Sequence, residues 1–305
     1  MQTGRIVSGM RCDLRGISIH YESVGEGRPF LMLHGSPGSH AVAKYEIEPA
    51  FRARKNWMRV YPDLPGHGKT PGTERIHDFD DYLEVLIEFV DELFPRQKIT
   101  MGGTSFGAYL ALGFASKRGG SLDGLLLSVP MLTLNARREP DARNSAGPMV
   151  RDPEVLIAAR REGLAWILQN AAVQGPGALD YARAWKGYTE DRVWLEALPT
   201  RDFSFDPYHR SRPFLAPALF LFGRQDAPHR YLQYWKMVPS FPRATFAILD
   251  RAGHLLWGEQ RKLSCAIAGE WLDRVEAGFL IDRTRTKPPR STERRRRSGR
   301  SSPRS

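Results

Sequence analysis

The sequence predicts an α/β chain built on one doubly wound, mostly parallel sheet with a helical insertion, and three observations carry that prediction. Short apolar runs alternate with helix-like stretches along most of the chain. Several of those runs end in glycine-rich or polar exits. The alternation breaks once, between about Thr133 and Pro213, and then resumes. Parallel neighbours cannot be joined by a tight turn, so each crossover needs its own helix; strand–helix alternation is the outcome.

From Arg5 to Val24 polar and apolar residues alternate around Gly16, as in two antiparallel strands with one wet face. "PFLML" (Pro29 to Leu33) and "MRVYPDL" (Met58 to Leu64) read as buried strands, with the helical stretch "AVAKYEIEPAFRAR" between them. In "DFDDYLEVLIEFVDELF" the residues Tyr82, Val85, Leu86, Phe89, Val90 and Leu93 recur at 3.6-residue spacing, which predicts a one-sided helix. "KITMGG" then reads as a strand, "YLALGFASK" as a helix and "LDGLLLSVPML" as a strand. The insertion opens on loop-like "NARREPDARNSAGP" and continues with a helix capped at Asp152-Pro153 and running toward Ala172. Two further helical pieces carry Tyr181, Trp185, Tyr188 and Trp194. After it, "PALFLFGRQD" and "ATFAILDRAGH" are strands with polar exits, and "RKLSCAIAGEWLDRV" is a closing helix. The expected organisation is a core of residues 1–132 and 214–281, an inserted helical unit of 133–213, and a basic tail of 282–305.

Composition narrows the partners. The 305 residues are 41% apolar and 10% aromatic, enough for a substantial core. The formal charge of +11 invites a nucleic-acid reading. However, the stretch from Asp282 to Ser305 holds ten Lys or Arg against Asp282 and Glu293, a net +8, so the body carries only +3. That tail lacks apolar residues and is rich in Pro, Ser and Arg, so it reads as disordered. With no aromatic residue to stack on bases, only weak, non-specific contact with nucleic acid is expected of it. Cys12 and Cys265 alone argue against a disulfide scaffold or a metal site. The N-terminal "MQTGRIVSGMRCDLRG" has no apolar run of signal-peptide length, and nowhere do 18 apolar residues follow one another. The expectation is a soluble cytoplasmic protein with a small-molecule substrate, no membrane contact, no metal and no cofactor.

In an open parallel sheet the reactive groups gather at the carboxyl ends of the strands. Four exits carry capable residues: "HGSPGS" from His34, "GTSFG" around Ser105, "GRQD" ending at Asp226 and "RAGH" ending at His254. The second is Gly-x-Ser-x-Gly between a strand and a helix, the context of a nucleophile elbow, where Gly103 and Gly107 must stay small. A serine hydroxyl is a poor nucleophile at neutral pH and needs a base that is itself oriented by a carboxylate. His254 can be that base and Asp226 its orienting acid. Asp250 is the rival acid, but it lies within the last strand's own run and not at a separate exit.

From Ile17 to Val275 the chain resembles the α/β-hydrolase family, specifically its capped members, through "HGSPGS", "DLPGHGKT", "GGTSFGAYLAL", "LFGRQD" and "AGHLLWGE" in that order. The resemblance implies the α/β-hydrolase fold, a covalent acyl-enzyme on Ser105 with His254 and Asp226 completing a catalytic triad, and oxyanion donors at the backbone N–H groups of Ser36 and Phe106. It assigns His34 and the Gly66-His67-Gly68 turn structural parts, and makes the insertion a cap. The reading that follows is a serine hydrolase of a small, largely apolar ester, lactone or related carbonyl compound, with C–C bond hydrolysis as a close variant. An iminopeptidase-like amide hydrolase is the second reading, with Glu154, Glu162, Glu190 or Glu196 as the acid for a substrate amine. Against it, "HGSPG" lacks that group's second glycine, and Thr104-Ser105-Phe106 departs from its Gly-Ser-Trp. A non-catalytic ligand-binding protein on the same fold is the third.

Overall fold

The computed structural model describes residues 6–131, 148–198, 202–226 and 231–285. Most of the stretch from Thr133 to Pro148 and most of the basic tail lie outside these residues. Strands β1 (Ile6–Leu14) and β2 (Ile17–Val24) pair antiparallel about Gly16, whose φ of +76° suits the tight connection. Then follow β3 (Arg28–Leu33), α1 (His40–Phe51), β4 (Trp57–Pro62), α2 (Phe79–Leu93), β5 (Ile99–Thr104), α3 (Phe106–Arg118) and β6 (Leu122–Ser128). The insertion contributes β7 (Val150–Arg151), α4 (Pro153–Arg161), α5 (Ala165–Leu168), β8 (Val173–Gln174), α6 (Pro176–Ala182) and α7 (Arg192–Ala197). The chain closes with β9 (Ala218–Gly223), α8 (Tyr231–Tyr234), β10 (Ala244–Leu249), α9 (Leu256–Glu259) and α10 (Arg261–Arg285).

Eight strands form one sheet in the order β1-β2-β4-β3-β5-β6-β9-β10. All pairings from β4 to β10 are parallel, whereas β1–β2 and β2–β4 are antiparallel. From β3 the chain crosses to β4 on one side, then returns past β3 to β5 on the other. That reversal opens a crevice at the carboxyl ends of β3 and β5.

Period-two alternation along the buried strands divides the core into two layers. Leu31, Leu33, Met101, Leu125 and Phe220 join α2 and α3 on one face. Phe30, Met32, Leu126, Leu219 and Leu221 join α1, α10 and the insertion on the other. Helix α2 buries Phe79, Leu83 and Ile87 besides the stripe expected of it, because α3 covers it from a second side.

In the insertion, Asp152 caps α4 as expected, accepting the N–H groups of Glu154 (3.0 Å) and Val155 (3.3 Å). The helix stops at Arg161 and does not run on to Ala172, because Gly163 adopts φ +72° and restarts the chain as the short α5. At the other end, α10 continues to Arg285, four residues into the stretch expected as tail. Among the described residues no helix is long and apolar enough to cross a membrane.

Helix α10 is pinned by Trp271, which is fully buried, lies 6.3 Å from the Phe30 ring and donates its indole N–H to the Pro217 carbonyl at 3.1 Å. Trp271→Ala is expected to lower stability by about 3–5 kcal/mol, the range for an aromatic cavity in a packed core, as a lower midpoint in urea denaturation.

Candidate active site

Ser105 is the single residue between β5 and α3, and it sits at φ +54°, ψ −115°. A positive φ is costly for a residue with a Cβ, on the order of 1–3 kcal/mol, and persists only where the surroundings dictate it. Here they do. The Ser105 N–H donates to the Ser128 carbonyl (2.9 Å), and the Ser105 carbonyl accepts from Tyr109 and Met131 (both 3.1 Å). A Cβ on Gly103 would stand 2.4 Å from the backbone of Gly107, and one on Gly107 would stand 2.5 Å from the carbonyl oxygens of Leu33 and His34. Neither position admits a side chain, which is the steric reason for the Gly-x-Ser-x-Gly pattern.

Asp226 leaves β9 and His254 leaves β10, neighbouring parallel strands, so the two exits lie side by side. His254 Nδ1 donates to Asp226 Oδ2 at 3.0 Å. Because the carboxylate can only accept, Nδ1 carries the hydrogen and Nε2 is the basic nitrogen. Burial drives the imidazole's pKa down, but the charge and hydrogen bond of Asp226, with the charges of Glu46 and Glu259, outweigh it, and the net shift is upward. Burial pushes the Asp226 carboxyl up, against the pull of His254. Asp250 is instead exposed at the surface, where its Oδ1 accepts from Gln225 Nε2 at 2.8 Å.

Ser105 and His254 line one cavity of about 540 Å³, together with Ser36 and Phe106. Phe106 is the first residue of α3, so its N–H belongs to the first turn, where donors have no partner within the helix. The Ser36 hydroxyl donates to His67 Nε2 at 2.8 Å, while His67 Nδ1 donates to the Pro65 carbonyl at 3.0 Å. His67 thus lines the cavity and orients the Ser36 side chain, a contact that its turn motif did not announce. His34 is buried with both nitrogens spent: Nε2 accepts from Leu64 N–H (2.9 Å) and Nδ1 donates to the Gly35 carbonyl (2.6 Å). Burial holds its pKa down to about 3, so it stays neutral. A larger surface groove of about 1290 Å³, around Lys98, Arg210 and Arg243, lies toward the amino ends of β6 and β9, away from Ser105 and His254.

The aromatics of the insertion divide into two sets. Trp166, Tyr181 and Trp185 line the cavity. Trp194 packs against the core loop, with its ring where a Cβ on Gly66 or Gly72 would stand, and donates to the Thr73 carbonyl at 3.0 Å. Phe203 stacks on Tyr109 at 4.5 Å and belongs to the core. None of Glu154, Glu162, Glu190 and Glu196 lines this cavity; Glu162, for example, pairs with Arg183 and Lys186.

Two acids flank the site that the sequence reading did not single out, Glu46 fully buried and Glu259 half-buried. Glu46 of α1 is on the cavity wall, accepting from the Thr104 hydroxyl at 2.7 Å and from the Tyr181 hydroxyl. Burial pushes its pKa up to about 7. Glu259 accepts from the N–H groups of Val173 (2.7 Å) and Gly253 (2.8 Å), tying β8 to the loop that bears His254, and burial pushes it up to about 7 as well. The one available signal for Glu46 was its place on the apolar face formed by Val42, Ala43 and Ile47. His20, His40 and Asp63 also cluster closely enough to suggest a metal. Yet the Asp63 oxygens already accept from both imidazoles at 2.8 Å and from the N–H groups of His40 (2.8 Å) and Lys69 (3.0 Å), which makes the cluster a hydrogen-bonded knot.

Residues 30–264 match the model of the alpha/beta hydrolase family. The chain is 24% identical over 257 residues to a 2-hydroxy-6-oxononadienedioate/2-hydroxy-6-oxononatrienedioate hydrolase of Paraburkholderia phymatum, covering 78% of this chain and 85% of the relative. It is 19% identical over 279 residues to a proline iminopeptidase of Heyndrickxia coagulans, covering 84% and 94%. An alpha/beta superfamily hydrolase from Oenococcus oeni PSU-1 superposes with a TM-score of 0.64 at 21% identity, covering 89% of this chain and 99% of that one.

Since the Asp226 charge holds the His254 pKa up, Asp226→Asn is expected to lower it, while Asp250→Asn leaves it in place. Titration of the His254 ring signals by NMR across neutral pH checks both; equal shifts in the two variants would contradict the geometry.

Proposed function

The chain belongs to the alpha/beta hydrolase family, and from that premise we propose that it is a serine hydrolase acting through Ser105, His254 and Asp226 on a small, largely apolar ester, lactone or related carbonyl compound. The observation that carries the reading is the hydrogen bond between His254 and Asp226 beside a serine held at positive φ, with His254 and Ser105 on one cavity wall. In this reading the Ser105 hydroxyl attacks the carbonyl carbon and passes its proton to His254 Nε2, while Asp226 stabilises the imidazolium. The negative oxygen of the tetrahedral intermediate accepts hydrogen bonds from the N–H groups of Phe106 and Ser36. Collapse expels the leaving group, which takes the proton from His254. Water then attacks the acyl-enzyme with His254 as base, releasing the acid and restoring Ser105. The insertion, residues 133–213, serves as a cap whose Trp166, Tyr181 and Trp185 give the pocket its apolar, aromatic side.

C–C bond hydrolysis is a variant of this chemistry supported by the similarity to the Paraburkholderia enzyme. The iminopeptidase-like reading is supported by the Heyndrickxia relative; of the four acids proposed for it, none lines the cavity itself, but Glu190 and Glu196 line an adjoining pocket that shares Ser36, Pro37, Trp166 and Leu195 with it.

A fluorophosphonate probe is expected to label the wild-type protein and not Ser105→Ala; a wild type that does not label would sink the serine-hydrolase reading. Turnover of p-nitrophenyl esters of graded chain length is expected to exceed that of proline p-nitroanilide, and the reverse order would favour the amide hydrolase. Asp226→Asn should cut ester turnover on the order of 10³–10⁴-fold, with Asp250→Asn near wild type.

A further inference from the structure

Glu46 has no part in the mechanism above, yet it is bound to the residue before Ser105 and, through Tyr181, to the helix that follows His254. Its Oε2 accepts from the hydroxyl of Thr104, the residue immediately before Ser105. Its Oε1 accepts from the hydroxyl of Tyr181 on α6. Tyr181 in turn packs against Gly258, four residues after His254, so tightly that a Cβ there would stand 2.6 Å from the Tyr181 Cβ. The Tyr181 ring also stacks on Tyr45 of α1, centroids 5.3 Å apart. One buried carboxylate therefore spans the base of the elbow, the inserted segment and the helix that follows His254.

We propose that Glu46 is a positioning residue of the hydrolase: it fixes the Ser105 elbow and the His254 loop relative to each other, and its charge favours the imidazolium that forms on His254. This rests on the serine-hydrolase reading. Two hydroxyl donors, one on each oxygen, suit the ionised carboxylate, which can only accept. Among the described residues no Lys or Arg pairs with Glu46, and the basic group whose charge acts on it is His254. With water excluded from the fully buried carboxylate, that attraction is screened little. The charged or titratable groups around the two are Asp226 after β9, Glu259 on α9 and the phenol of Tyr181 on α6. Glu46 carries the second negative charge felt by His254, after that of Asp226.

The sign follows directly. Glu46 raises the His254 pKa, so removing its charge lowers that pKa, and the acid limb of the kcat/KM profile moves to lower pH. Glu46→Gln keeps the size and one acceptor but not the charge. It is expected to lower kcat for a p-nitrophenyl ester at least about tenfold, roughly one unit of barrier at 1.4 kcal/mol, with a smaller change in KM. The His254 ring signals should titrate at lower pH, and Glu46→Asp should bring them back toward wild type. A Glu46→Gln protein with an unmoved His254 and acid limb would overturn the proposal, as would a loss in KM alone. The NMR readout does not depend on turnover, and fluorophosphonate labelling of Ser105 reports separately on the hydrolase reading. Failure of one is thereby distinguished from failure of the other.

Discussion

The arrangement depends on one steric constraint, the passage from β5 into α3 through Ser105 alone. A strand can enter a helix in one residue only if that residue takes a conformation L-amino acids avoid and the chain on either side is stripped to backbone. Gly103 and Gly107 meet that second condition, with their backbones against each other and against the end of β3. The result is a serine projected from the sheet at the crevice between β3 and β5. The helix amides begin at Phe106 beside it.

The rest of the site is assembled onto that point by parallel pairing. Strands β9 and β10 run in register from Ala218 with Ala244 to Gly223 with Leu249. Their exits therefore fall at the same height, and Asp226 meets His254 without help from a long loop. The insertion supplies the opposite wall, anchored by Trp194 in the core loop, by the Asn170 carbonyl accepting the His254 N–H at 3.2 Å, and by Glu259 holding Val173. Some residues do both jobs: Asn170, Tyr181 and Trp185 line the cavity and also bind the core, through the His254 N–H, Glu46 and the Pro37 carbonyl respectively.

Electrostatically the site is acid-rich around one imidazole. Asp226, Glu46 and Glu259 all act on His254 to favour its charged form, against the burial that opposes it. Two of those acids are themselves held by neutral donors (hydroxyls for Glu46, backbone N–H groups for Glu259), and this keeps them satisfied without a competing cation. A buried basic residue in their place would remove the bias on His254.

Sequence by itself determined what short, contiguous stretches encode. The strand–helix rhythm, the one-residue elbow around Ser105, the cap at Asp152 and the polar exits at Asp226 and His254 are each set by local periodicity or local sterics, and each is where the reading put it. The end of α4 was misjudged because the apolar pattern continues past Gly163, whereas in the fold Gly163 turns to φ +72° and ends the helix. Tertiary structure alone decided the matters that depend on distance through space. These are Asp226 over Asp250 as the partner of His254, His67 against Ser36, Trp194 as anchor beside Trp185 as lining, and Glu46 between Thr104 and Tyr181. Each of these contacts joins segments that the sheet order, and not the chain order, makes neighbours; no window of sequence contains both partners in a form that fixes their geometry.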